Sequence, residues 1–123
     1  MKKKFLIIVV TALVLLTACN KAEQKPVSTA TETKEVIFTG NEFSFQPNTV
    51  NLKAGETVKI VFKNQGKFVH DLVIERTEQK TKQIGPNEED SFLFTPEKAG
   101  TYAIYCSVAG HRDFGMEGSL IVE

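Results

Sequence analysis

The chain has 123 residues, 41% of them hydrophobic and 24% charged. That ordinary globular mixture excludes a disordered or collagen-like chain and predicts one domain. Fifteen basic residues balance fifteen acidic ones, so no field of one sign points to nucleic acid as a partner; two Cys, two His, two Met and no Trp exclude a disulfide-rich scaffold and any site needing many imidazoles.

At the start of the chain, Lys2, Lys3 and Lys4 precede Phe5 to Leu16, a run that is apolar apart from Thr11. As a helix this run would span ~18 Å, against a hydrocarbon core of ~30 Å. A basic start, a short apolar run and small residues after it read as a secretory signal over residues 1–18, with a transmembrane anchor as the alternative. Leu16-Thr17-Ala18-Cys19 resembles the lipobox of bacterial lipoproteins. The resemblance implies cleavage before Cys19 and acylation of its sulfur, each buried CH₂ of lipid adding ~0.8 kcal/mol of membrane affinity. The mature protein would then be extracytoplasmic, anchored to a bacterial membrane in the periplasm or at the cell surface.

Processing changes the census. Removing residues 1–18 takes away three lysines and no acid, so fifteen acidic residues face twelve basic ones. With Cys19 committed to lipid, Cys106 has no intramolecular partner, and a lone thiol in an oxidising compartment is a liability unless something uses it. A buried inert cysteine and a Cys19–Cys106 disulfide are the competing explanations. Residues 19–33 are polar apart from Val27 and small residues, too poor in apolar surface to order, and are expected to form a flexible tether with a reach of ~20 Å.

Residues 34–123 are expected to form the globular domain. Their apolar period is two: Val36 and Phe38, Phe43 and Phe45, Val50 and Leu52, then Val58, Ile60 and Phe62. His70, Leu72 and Ile74 follow in phase, then Phe92 and Phe94, then Tyr102, Ile104 and Cys106, and finally Leu120 and Val122. Turn signals separate the runs, and no apolar stretch keeps a helical period. Seven to eight short strands in such a length predict an all-β sandwich. A hairpin between the strand ending at Phe94 and the one starting at Thr101 would put Cys106 at the end opposite the 95–100 turn. Loops 63–69, 85–91 and 106–118 would then gather at one pole.

Cys106, His111 and Met116 are spaced five and five, and His70 opens an earlier strand. Taken singly, each has an ordinary explanation: a core histidine, a buried cysteine, an exposed loop histidine, a packing methionine. Together they are every Cys, His and Met of the chain after Cys19. Thiolate and thioether favour Cu(I) while imidazole tolerates both copper states, so the set suits a copper ion that changes oxidation state. Thioether is a poor zinc ligand.

The segment from Gly100 to Val122, with AGTYAIYC, then GH, then GMEGSLIV, resembles the copper-binding end of the cupredoxins, the family of plastocyanin, azurin and auracyanin. The resemblance implies a Greek-key β-sandwich holding one type 1 (blue) copper. His70, Cys106 and His111 would be the near-trigonal ligands and Met116 the long axial one. Tyr102 would be the family's tyrosine in the strand leading to the cysteine. One departure stands out: many members carry Asn after the first ligand histidine, where this chain has Asp71, an acceptor that donates nothing when ionised.

The expected function is a membrane-tethered shuttle of single electrons between redox proteins such as cytochromes or copper oxidases, working as a monomer. The alternative is a copper delivery or storage protein. An enzyme is not expected, since two histidines cannot supply the further copper sites of oxidases or nitrite reductases. A Cys106–His111 hydrolase would lack a third orienting group. Phe114, Val108 and Ala109 are expected to make an apolar patch over His111. Glu88, Glu89 and Asp90 would either rim that pole and steer a basic partner or form a solvated turn.

Overall fold

The structure, a computed structural model, describes residues 32–123. The expected signal segment, Cys19 and residues 19–31 of the expected tether lie outside the described residues. Eight strands follow one another: β1 (Lys34–Asn41), β2 (Ser44–Gln46), β3 (Thr49–Leu52), β4 (Val58–Asn64), β5 (Val73–Ile74), β6 (Glu89–Phe94), β7 (Gly100–Tyr105) and β8 (Glu117–Val122). They form two four-stranded sheets, ordered β2-β1-β4-β6 and β3-β8-β7-β5. The all-β sandwich expected from the two-residue period is the observed fold.

The period explains the packing. Phe38 of β1, and Val58, Ile60 and Phe62 of β4, point inward and are fully buried. On the outer face of the same strands Lys59 pairs with Glu35 at 2.8 Å. The second sheet contributes Leu52, Ile104, Leu120 and Val122, so the core is the interleaved inner faces of two sheets. Phe45 crosses edge-on to Phe38 and Phe62, with ring centroids 6.5 and 5.8 Å apart. At one end the Tyr102 hydroxyl donates to the Lys98 carbonyl at 2.9 Å, fastening the β6–β7 connection to the strand that leads to Cys106.

Two expectations need correction. β6 and β7 do not form a hairpin: β6 pairs with β4 in one sheet, and β7 pairs with β5 and β8 in the other. An arch between facing sheets reverses the chain as a hairpin does, so Cys106 still lies at the end opposite the 95–99 connection. The strand expected from His70 is also shorter than its alternation implies. It is only Val73–Ile74, preceded by a single bridge between His70 and Ile84. Side chains interrupt the ladder here: Thr81 N–H still donates to the Leu72 carbonyl at 3.0 Å, but Leu72 N–H donates to Thr81 Oγ1 at 2.9 Å, and the Asp71 carboxylate turns towards Ser107.

Two of the three loops bond directly to each other. Asn64 N–H donates to the Glu88 carbonyl at 2.9 Å and Asn87 N–H to the Asn64 carbonyl at 2.8 Å, joining the loops after β4 and before β6. The buried Asn64 amide donates at 2.8 Å to both Phe68 and Ile84 carbonyls, while its oxygen accepts Gly66 N–H at 2.9 Å. One polar side chain thus holds the loop that delivers His70.

Candidate metal centre

His70 sits where the 63–69 loop meets Ile84, and Cys106 follows the last residue of β7. His111 is carried by a turn in which its N–H donates to the Val108 carbonyl at 3.0 Å. Met116, the residue before β8, is bound through its backbone to both. Cys106 N–H donates to the Met116 carbonyl at 3.1 Å, and Met116 N–H to the His111 carbonyl at 3.0 Å. Gly115 makes the turn into Met116 with φ +98, a conformation glycine adopts without steric cost.

These elements bring three donor atoms together. The Cys106 sulfur lies 3.5 Å from His111 Nδ1 and 3.9 Å from His70 Nδ1, and the two Nδ1 atoms are 3.1 Å apart. An ion bonded at about 2.0 Å to nitrogen and 2.3 Å to sulfur in a trigonal plane separates its nitrogens by about 3.5 Å and each from sulfur by about 3.8 Å. The triangle observed here fits such an ion to within a few tenths of an ångström. His70, Cys106 and Met116 are at most 1% exposed and His111 is 9% exposed, so the donors are withheld from water. A thiolate, two imidazoles and a neighbouring thioether are a donor set for copper.

The family model described as the cupredoxin-like domain matches residues 6–122. Plastocyanin of Cucurbita pepo is 36% identical over 101 residues, covering 72% of this chain and 98% of its own length. Chloroplastic plastocyanin of Fritillaria agrestis is also 36% identical over 101 residues, but this chain spans only 58% of its length. Among solved structures, reduced auracyanin from Roseiflexus castenholzii superposes with a TM-score of 0.68 at 20% identity, covering 74% of this chain and 98% of that one. The chain belongs to the cupredoxin-like family. A cupredoxin-like domain with this cluster of His, Cys and His donors supports one copper ion.

Around the donors, this cupredoxin-like domain has its own supports. Asp71, 3% exposed, uses one oxygen to accept Ser107 N–H at 2.6 Å and the other to accept the Ser107 hydroxyl. The residue after His70 is thereby tied to the residue after Cys106. An acceptor-only carboxylate suffices because Ser107 supplies both donors. Burial pushes the Cys106 thiol above its usual range, partly offset by the backbone N–H groups of Asp71 and Val108 that face the sulfur. Burial, helped by the neighbouring His70, also holds His111 below the usual histidine value. Both effects favour the neutral imidazole, the form that can ligate a metal.

Phe43 and Glu42, in the turn between β1 and β2, belong to the site although alternation assigned Phe43 to a strand and gave Glu42 no role. The Phe43 ring lies 4.9 Å from those of His111 and Phe114 and 6.5 Å from that of His70. Glu42 Oε1 lies 3.3 Å from His70 Nε2 and accepts the backbone N–H groups of Lys67 and Phe68. The Lys67 bond does most to hold its carboxyl down at about 2, with Phe68 and His70 assisting. No local motif marks either residue; only the turn's meeting with the 63–69 loop does.

At the surface of this pole Phe114 is 70% exposed and Phe68 57%. The acidic run is occupied locally: Glu88 accepts Gly85 N–H, Glu89 pairs with Lys63 at 3.4 Å, and Asp90 accepts Lys82 N–H at 2.8 Å. Glu88 thus closes the turn before β6, while Glu89 and Asp90 are the first residues of that strand, each tied to a neighbour rather than standing as a free acidic rim.

Proposed function

We propose that this protein is a blue copper electron carrier in which His70, Cys106, His111 and Met116 hold the ion. The observation that carries the reading is the convergence of Cys106 Sγ with two histidine Nδ1 atoms beside buried Met116. When bound, copper supplies a one-electron couple. The residues' part is to hold the donors still and dry, so that little has to rearrange between oxidation states. The backbone bonds linking Cys106, Met116 and His111 restrict them to one arrangement, and Asp71 fixes the His70 and Cys106 segments to each other. His111, slightly exposed and packed edge-on against Phe43 beside exposed Phe114, brings the centre close to a surface where a redox partner can dock. No atoms are transferred, only an electron in and an electron out, and the chain is not read as an enzyme.

Cleavage after Ala18, lipid on Cys19 and a tether through residue 33 complete the reading. The carrier would sit on the outer side of a bacterial membrane as a monomer, exchanging electrons with partners such as cytochromes or copper oxidases. The protein loaded with Cu(II) is expected to show an intense blue thiolate-to-copper band that disappears in Cys106→Ser. A colourless protein, or a band indifferent to that substitution, would refute the assignment. Rapid reversible electron exchange with a redox partner supports carriage, whereas transfer of the ion to an acceptor chelator supports delivery. Detergent-phase partitioning lost in Cys19→Ser tests the anchor; partitioning unchanged by that substitution rejects it.

A further inference from the structure

We propose that Glu42 is a positioning residue for the metal centre: its carboxylate accepts the Nε2–H of His70, turns Nδ1 towards Cys106, and favours the oxidised form of the bound copper. The inference rests on the copper reading above. Its basis is a chain of contacts through one imidazole. On one side of the His70 ring, Nε2 is 3.3 Å from Glu42 Oε1; on the other, Nδ1 is 3.1 Å from His111 Nδ1 and 3.9 Å from the Cys106 sulfur. A histidine has one proton to place when neutral, and an acceptor at Nε2 puts it there, leaving the Nδ1 lone pair for the cluster.

The carboxylate is itself held in place. Glu42 Oε1 accepts backbone N–H groups from Lys67 and Phe68 in the loop that leads to His70, so it is oriented before any metal arrives. His70 is fully buried, and a buried ring N–H without an acceptor would be costly. Room for the contact depends on Gly66. A Cβ there would lie 2.3 Å from Glu42 Oε1 and 2.9 Å from His70 Nε2, so any larger residue would force the carboxylate and imidazole to shift. The turn that delivers Glu42 also delivers Phe43 against both histidine rings.

The consequence is electronic. A carboxylate bonded to the far nitrogen of a ligating histidine raises the donor strength of the near one. Stronger donation, with a negative charge one ring away, favours Cu(II) over Cu(I) and lowers the reduction potential.

The test compares the copper-loaded protein with Glu42→Gln, Gly66→Ala and Asp113→Asn by redox titration, and the copper-free protein with Glu42→Gln by ¹⁵N NMR of the His70 ring. Glu42→Gln keeps the size and an acceptor oxygen but removes the charge, and its potential is expected to rise. Gly66→Ala keeps the charge but displaces the contact, and is expected to move the potential the same way. Asp113→Asn removes an exposed charge from the His111 loop and is expected to move it less than Glu42→Gln. In the copper-free protein His70 is expected as the Nε2–H tautomer, its ring proton moving upfield in Glu42→Gln. An unchanged potential in Glu42→Gln, an equal shift in Asp113→Asn, or an Nδ1–H tautomer would overturn the proposal. If the parent protein takes up no copper, the carrier reading fails, while the ring tautomer still decides whether Glu42 holds His70.

Discussion

Replacing Asp71 by Ala and by Asn should give very different results, for a reason visible in the structure. Asp71 accepts two hydrogen bonds from one residue, the N–H and the hydroxyl of Ser107. Each bond to a charged acceptor contributes about 1.5–3 kcal/mol. Ser107 is itself exposed, so water can rehydrate the freed groups and the lower part of the range applies. Asp71→Ala is expected to destabilise the copper-free protein by about 3 kcal/mol, a fall of roughly 12–24 °C in Tm for a domain of this size. Asp71→Asn keeps both links. The amide oxygen still accepts Ser107 N–H, and the amide NH₂ can donate to the Ser107 hydroxyl once that rotates. Its cost should stay below about 1 kcal/mol, within the range of one ordinary neutral hydrogen bond. Urea unfolding of the three copper-free proteins, with m compared to confirm a like transition, measures this. Equal losses for Ala and Asn would show that charge, not the Ser107 tie, is what matters. No loss for Ala would show that the tie contributes nothing.

Copper uptake should release the Cys106 proton, because burial holds the thiol above its usual range while the ion takes the thiolate, and the lowering of His111 favours its neutral form. Chelator competition should therefore show apparent affinity falling about tenfold per unit as pH drops from 8 to 7; a pH-independent affinity would contradict it. Copper-free stability should decline as pH falls through about 6.5, since unfolded His111 takes a proton before folded His111 does; denaturation midpoints across that range provide the check. Asn64→Ala removes three hydrogen bonds from a side chain 1% exposed and should cost about 3 kcal/mol in urea unfolding.

The parts of the fold written as alternation were readable: inward Val58, Ile60 and Phe62 against outward Lys59 need only a period of two. The four chemistry-bearing residues were readable because the chain carries so few of their kinds. What could not be read was pairing across space. Phe92–Phe94 and Tyr102–Ile104 alternate alike whether they join one sheet or face each other in two. His70, Leu72 and Ile74 keep a strand's phase although Asp71 and Thr81 interrupt its ladders with side-chain bonds, leaving a regular strand only at Val73–Ile74. Glu42 looked like any charge in a polar turn, and its contact with His70 depends on a glycine twenty-four residues away.

The parallel pairing of β1 with β4, Lys34 beside Val58 and Gly40 beside Asn64, fixes where the globular part begins. Asn64 opens the loop of His70, so Lys34 lies about six strand steps from the metal end, ~20 Å at 3.3 Å per residue. A tether joined at Lys34 therefore attaches at the end of the sandwich opposite the metal-site loops. Held by lipid at Cys19, as proposed, the protein would be tethered at the end of the sandwich away from its aromatic, histidine-bearing face, leaving that face free for partners.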